Sequence, residues 1–286
     1  MDPLLLTARK VLFESLLRGC LTVDINGVPS NADKSQKSSR EIARKILKKM
    51  GGKAQIKSKA AGQTAGNEFE EICTQFIRDT FPKLGHLRPG NWEIAKVASR
   101  RGVIIAQYEQ YSHLLELDEV AKANQTLAAA LGNDYSISPD IVVLRHPEED
   151  EFINKDQLIV GPNLGTHSPL RLSVNRLPLL HASVSCKWTL RSDRAQNARA
   201  EALSFLRNRK GRAPHIVVIT AEPTPSRIAS IALGTGDIDC VYHIALPELE
   251  EAVKETGNDE AENMLGTLIA GKRLKDISDL PLDLSI

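Results

Sequence analysis

The sequence predicts an α/β fold in which helices flank a central mixed β-sheet. Short apolar runs typical of buried strands occur at residues 141–144 and 215–220, and a strand is predicted at 177–188, where residues 183–188 alternate between polar and apolar side chains. A helix-length segment from residue 193 to about residue 209 separates the last two of these strands, as expected for a crossover connection. Strands alternating with helices favour a layered α/β core.

The elements on either side follow from apolar spacing and from helix breakers. Helices are predicted at residues 3–18 and 67–81, and a basic helix capped by Ser38 or Ser39 is predicted to run through residue 50. Residues 53–66 are small, polar and basic, so we expect a mobile loop there. Extended chain is predicted at 91–97, one long or two shorter helices at 103–131, strands at 157–160 and 241–244, a helix from Ser226, and two helices at the carboxyl end.

Composition indicates one large globular domain. The chain has 286 residues, of which 42% are hydrophobic, enough to bury a substantial core. The amino terminus carries a charge every few residues, which is typical of an amphipathic helix and not of a signal peptide or a membrane span. The four cysteines are scattered and form no CxxC pair, so we expect a reducing, cytoplasmic location and no structural zinc.

Charge is distributed unevenly along a chain whose formal net charge is only +1. Residues 34–59 contain ten Lys or Arg and one acid, whereas residues 247–286 contain ten acids and four bases. This asymmetry is consistent with one face that meets phosphates and an opposite face that is acidic. The alternative is a solvated lysine-rich helix and an acidic terminal helix with no binding role.

Two polar motifs lie on the predicted sheet. Pro139 and Asp140 open one strand, and Lys187 lies on another strand 47 positions after Asp140. Ser185 and Lys187 point to the same face because side chains alternate along a strand. A polar segment follows with Arg191, Asp193 as the expected helix N-cap, and Arg194; Glu201 lies two helical turns beyond Arg194.

These residues resemble the PD…(D/E)xK signature of nucleases, except that Ser185 stands where the second acid is expected. In the CCGG-recognising group of restriction endonucleases that acid has moved to the following helix, where this chain has Glu201. The chain resembles this group over its full length. The resemblance implies a restriction-endonuclease-like layered core and a set of catalytic residues, which are Asp140, Ser185, Lys187, Glu201 and, in the helix 67–81, Glu70. Seen alone, Glu70 is more typical of a solvated helix position near the rim of the core.

Phosphodiester hydrolysis requires an in-line water and neutralisation of the charge that develops on the phosphoryl oxygens. Mg²⁺ suits this task because it takes oxygen ligands and needs only one or two protein carboxylates. Asp140 is the best ligand, and the backbone carbonyl of Cys186 is a second, because neighbouring strands bring the two together. Lys187 would orient the water and stabilise the transition state. In-line attack leaves a 5′-phosphate and a 3′-hydroxyl.

Base recognition is predicted for the segment after the lysine. Arginine reads guanine and aspartate reads cytosine in the major groove, so Arg191, Asp193 and Arg194 suit two G·C pairs. A two-fold axis doubles these pairs to a four-base core such as CCGG, which is the core that the resemblance implies. Arg227, near a helix start, is a candidate for a flanking G·C pair, and Gln63 in the basic loop suits base edges. With the core that the resemblance implies, the predicted site is GCCGGC. The alternatives are a helix-capping salt-bridge network and a plain linker.

The sequence therefore predicts a type II site-specific deoxyribonuclease that binds double-stranded DNA and has no membrane partner. A palindromic target requires at least a homodimer, and the resemblance implies a tetramer. Within one domain, residues 1–66 would contact DNA and form oligomers, 67–245 form the catalytic core, and 246–286 form terminal helices. The alternatives are a repair or recombination nuclease with little base preference and a non-catalytic DNA-binding module. Neither the Ser-x-x-Lys spacing of a serine hydrolase nor HExxH occurs.

Overall fold

The computed structural model describes residues 2–56, 62–97, 103–131, 137–234 and 236–286. In this part of the chain one six-stranded sheet has its strands in sequence order. The strands are β1 (Asn91–Lys96), β2 (Ile141–His146), β3 (Leu179–Lys187), β4 (His215–Thr220), β5 (Cys240–His243) and β6 (Leu274–Asp276). The pairs β1–β2 and β2–β3 are antiparallel, and all later pairs are parallel. The predicted mixed sheet is confirmed.

Helices cover the sheet and connect its parallel strands. They are α1 (Leu4–Arg18), α2 (Lys37–Lys49), α3 (Gly62–Thr80), α4 (His113–Ala123), α5 (Gln125–Leu131), α6 (Asp150–Ile153), α7 (Ser192–Asn208), α8 (Pro225–Ala232), α9 (Leu246–Lys254), α10 (Asp259–Ala270) and α11 (Leu280–Asp283). The crossover from β3 to β4 is α7, and the crossover from β4 to β5 is α8. No helix among the described residues is long and apolar enough to cross a membrane.

The strands predicted around the polar motifs agree with the structure to within two residues at either end. Three local predictions were wrong. The basic helix begins at Lys37 with Gln36 as N-cap, because the Ser39 hydroxyl accepts the N–H of Asp33 and does not cap the helix. The helix predicted at 67–81 begins at Gly62, since Ala65 packs into the core and extends it. Gln63 therefore lies on the first turn of α3 and not in a loop.

The third wrong prediction is the strand at residues 157–160. The side-chain oxygen of Asn154 accepts the N–H groups of Ile159 and Val160, at 2.8 and 2.9 Å. These donors are thus satisfied inside a loop, and the segment has no need of a partner strand. Conversely, β6 was not predicted, because three residues are too few to show an alternation.

One cluster of buried apolar side chains extends from Ala8 to Leu284 and joins the helices to the sheet. At its centre, α3 packs on β3. The ring of Phe69, fully buried, meets the ring of Trp188 edge-on with 5.1 Å between centroids. This contact fixes α3 beside the carboxyl end of β3, where the polar motifs lie.

We expect Phe69→Ala to lower the free energy of unfolding by about 3–5 kcal/mol, because a large buried ring would be replaced by a cavity. Urea denaturation followed by circular dichroism measures the change. Leu6→Ala is the control, since Leu6 is exposed on α1 and should cost much less. Equal losses for the two variants would show that the α3–β3 contact contributes no special stability.

Candidate active site

Asp140 lies immediately before β2, at the point where the β2–β3 ladder ends. The last paired residues are Ile141 and Val184. Beyond them, the carboxylate of Asp140 accepts the backbone N–H of Cys186 at 2.7 Å, and the Nζ of Lys187 lies 3.2 Å from the same oxygen. Asp140 is buried, and the side chain of Lys187 is 15% exposed. The structure therefore brings together two of the predicted catalytic residues.

Cys186 contributes its backbone to this site and its side chain to the core. The N–H and C=O of one strand residue point to the same side, so the carbonyl of Cys186 faces the side on which Asp140 lies. The alternation continues at Lys187, whose carbonyl faces β4 and accepts the Thr220 hydroxyl at 2.8 Å. The thiol of Cys186 is buried next to that of Cys73, and burial raises its pKa. An oxygen ligand from the backbone is thus compatible with the geometry, while the thiol is buried in the core.

Glu201 reaches the same face of the sheet from α7. The hydroxyl of Ser185 donates to Oε2 of Glu201 at 3.4 Å. Since Ser185 and Lys187 are two residues apart on one face of β3, their side chains are separated by about 7 Å. Glu201 therefore contacts Ser185 and lies on the same face of β3 as Lys187, which is two residues further along the strand.

Glu70 approaches from α3 on the other side. It is buried, and its Oε2 lies 3.4 Å from the Nζ of Lys96 at the end of β1. Lys96 pairs with Ile141, which directly follows Asp140. The solvated alternative for Glu70 is therefore wrong. Sequence reasoning missed Lys96, although its position at the end of a strand was a usable signal.

The predicted base-reading residues lie at the starts of three helices: Arg191, Asp193 and Arg194 at α7, Arg227 at α8 and Gln63 at α3. Arg191 is exposed and is the N-cap of α7, which begins at Ser192, so Asp193 is not the N-cap as predicted. An extended residue, Arg191, makes the turn from β3 into the helix. The side chains of Asp193, Arg194 and Gln63 lie outside the described residues.

Arg227, on the first turn of α8, forms an ion pair with Asp33, and its Nη1 lies 3.9 Å from Oε2 of Glu222. Hydrogen bonds from the Ser35 hydroxyl and backbone, together with Arg227, lower the pKa of Asp33. Arg227 is therefore held between two carboxylates. Neither carboxylate was singled out from the sequence, because neither belongs to a recognisable motif.

Among the described residues, the basic segment and the acidic segment are in contact and do not lie on opposite faces. Helix α2 packs on α9, and Lys45 and Lys49 form ion pairs with Glu251 and Glu255 at 2.7–3.2 Å. Part of the basic segment is thus neutralised by the acidic terminal helices. The sequence asymmetry reflects, in part, two complementary surfaces in contact.

No three His, Cys, Asp or Glu side chains gather as metal ligands in the portion of the chain that is described. The four predicted acidic and basic side chains instead make separate contacts: Asp140 bonds to the Cys186 N–H and to Lys187, Glu201 contacts Ser185, and Glu70 contacts Lys96.

A family model described as "NgoMIV restriction enzyme" matches residues 12–286. The chain belongs to the NgoMIV restriction enzyme family. It is also 51% identical over 287 residues to a type II restriction enzyme, NgoMIV, from Neisseria gonorrhoeae, with all of both chains covered. The predicted resemblance, the predicted fold and the class of type II site-specific deoxyribonuclease are confirmed, and a member of the NgoMIV family binds double-stranded DNA. Membership argues against a non-catalytic module and against a nuclease without base preference.

Proposed function

We propose that this restriction enzyme is a Mg²⁺-dependent endonuclease that cleaves GCCGGC, a G·C-only palindrome with a CCGG core, leaving 5′-phosphate and 3′-hydroxyl ends. The observation that carries the proposal is the junction of β2 and β3, where the Asp140 carboxylate meets the Lys187 ammonium at 3.2 Å. A buried acid and a lysine at adjacent strand ends support the proposal, because such groups can orient a water and stabilise the charge that develops in phosphodiester hydrolysis.

The residues present fit Mg²⁺. This ion prefers oxygen ligands in octahedral geometry and is usually bound through one or two carboxylates. Asp140 and the carbonyl of Cys186 would hold it, with the acids of Glu201 and Glu70 nearby. When bound, the ion supplies positive charge that offsets the negative charge developing on the phosphoryl oxygens. The all-oxygen donor set disfavours softer metals such as zinc.

The chain's own groups divide the remaining work. Lys187 is nearly buried, so its ammonium acts in a medium of low dielectric constant, where it orients the attacking water and stabilises charge more strongly than in bulk solvent. Ser185 donates its hydroxyl to Glu201 and thereby holds that acid toward the site. Glu70, beside Lys96, adds a further acid from the amino-terminal side.

Recognition is proposed for the segment that follows Lys187 without a break. Arg191 leads into α7 directly after β3, so Arg191, Asp193 and Arg194 are coupled in position to the catalytic lysine. Arg227 lies across from them at the start of α8 and would read the flanking pair, and Gln63 would contact base edges from α3. A homodimer matches the two-fold symmetry of a palindromic site, and we propose a tetramer of two such dimers. All four cysteines are free, which supports a cytoplasmic location.

Incubation of a fully sequenced plasmid with the protein and Mg²⁺ is expected to give discrete fragments whose ends map to GCCGGC, and EDTA is expected to abolish cleavage because the ion is removed. Electrophoresis and sequencing of the ends measure both results. A smear, or cleavage in EDTA, would contradict the proposal.

Lys187→Met is expected to reduce the rate of plasmid cleavage by about 10²–10³-fold, because it removes a preorganised charge at the reacting phosphate. Single-turnover cleavage measures the rate. The matched control is Lys275→Met, which removes a lysine paired with Asp283 at 2.6 Å on the far edge of the sheet. The assignment fails if the two variants cut equally fast.

Arg227→Ala is expected to weaken discrimination at the outer base pair by about 1–3 kcal/mol, with inner discrimination retained, because one bidentate contact is lost. Cleavage of duplexes changed at one pair at a time measures this. Arg18→Ala, at an exposed position on α1, is the control and should preserve discrimination at every pair. Uniform weakening across all duplexes would instead indicate a phosphate contact.

A further inference from the structure

Glu222 is a fully buried carboxylate that the proposed reaction does not use. It lies two residues beyond β4, and its side chain has no exposed surface. Burial raises the pKa of this carboxyl, while hydrogen bonds to its oxygens act in the opposite direction. A carboxylate is rarely buried unless hydrogen bonds or ion pairs compensate for the lost hydration. Its partners therefore indicate what it does.

The carboxylate of Glu222 contacts both base-reading segments at once. Its Oε2 accepts the N–H of Leu190, at 2.8 Å, and Leu190 directly precedes Arg191. Its Oε1 accepts the N–H of Thr224, the N-cap residue of α8, at 3.2 Å. The guanidinium of Arg227 lies 3.9 Å from Oε2. One side chain thus links the end of the segment from β3 with the first turn of α8.

The segment that carries Glu222 is also bonded to the strand that carries Lys187, through the side chain of Thr220. The hydroxyl of Thr220 donates to the carbonyl of Lys187 at 2.8 Å and accepts the N–H of Glu222 at 3.2 Å. Residues 220–224 consequently bond to the lysine backbone, to the start of the first reading segment and to the cap of the second. A shift of one of these three groups would therefore displace the other two, because buried hydrogen bonds connect them.

We propose that Glu222 is a positioning residue that holds the segment beginning at Arg191 and the side chain of Arg227 in fixed relation to each other, so that inner and outer base pairs are read together. The inference rests on the proposed function and deepens it. Glu222 itself does not touch DNA, because its carboxylate is buried beneath both segments. Its effect passes through the arginines.

The experiment compares Glu222→Gln with Asp276→Asn in the full-length protein. In Glu222→Gln an amide replaces the carboxylate. Its single oxygen could accept only one of the two N–H groups, and the negative charge beside Arg227 would be lost. Asp276 is a matched control, because it is also buried and also accepts two backbone N–H groups, from Leu246 and Ser278, beside an arginine, Arg9. Cleavage of GCCGGC duplexes and of duplexes changed at the inner or outer pair is measured for each, with melting temperature as the control for folding.

For Glu222→Gln we expect cleavage of the unchanged duplex to fall about 10- to 100-fold, because a buried charge-assisted network loses its acceptor. The rate of cleavage of the unchanged duplex, divided by the rate for the duplex changed at the outer pair, should also fall. Asp276→Asn should lower the melting temperature and leave that ratio intact. In an Arg227→Ala background, the effect of Glu222→Gln on outer-pair discrimination should largely disappear, whereas that of Asp276→Asn should not change.

A merely structural role predicts a different result, namely that both variants lower stability and neither changes the ratio, and this result overturns the inference. Equal effects of Glu222→Gln with and without Arg227 overturn it as well. If Glu222→Gln does not fold, Glu222→Asp, which keeps the charge but shortens its reach, is measured against the same expectations. Failure of the parent protein to cut DNA at discrete sites overturns the proposed function and this inference together, whereas discrete cleavage with an unchanged ratio overturns the inference alone.

Discussion

The hydrogen bond from the Cys186 N–H to the Asp140 carboxylate is the contact on which the site depends. The β2–β3 ladder ends before Cys186, so its N–H has no partner on β2 and would be left unsatisfied in the protein interior. Asp140 supplies the missing acceptor and, in doing so, is held beside Lys187. The end of a sheet ladder thus creates a buried acid–lysine pair, at the position for which we propose a catalytic carboxylate.

Two helices carry further acids to the strands next to this junction. Helix α3 is fixed on β3 by the contact of Phe69 with Trp188, and it carries Glu70 to Lys96 at the end of β1. Helix α7 continues directly from β3 and carries Glu201 back to Ser185. The acids therefore come from distant parts of the chain, but each is positioned by a side chain on a strand. In the proposed function, the helix-borne Glu201 takes the place of the acid that is absent from β3, where Ser185 stands.

The charged residues illustrate a limit of composition. A run of basic residues is often assigned to nucleic-acid binding, yet Lys45 and Lys49 of α2 are paired with acids on α9 and at its carboxyl end. Ion pairs of this kind join the two ends of the chain and contribute modestly to stability, because they are partly exposed. The buried Glu222 has the opposite character. It is not conspicuous in the sequence, but it is completely buried and contacts both Leu190, which precedes Arg191, and Arg227.

The sequence by itself determined the mixed α/β fold, the strands that carry Asp140 and Lys187, and the helix that carries Glu201. Alternating or continuous apolar runs reflect burial on one or both faces of a sheet, and this constraint acts locally. Tertiary structure decided the rest. The start of α3 at Gly62, the loop at residues 157–160 and the pairing of α2 with α9 depend on partners that local apolar spacing does not reveal. Whether a polar group is satisfied, and by which neighbour, is decided only when the folded segments meet.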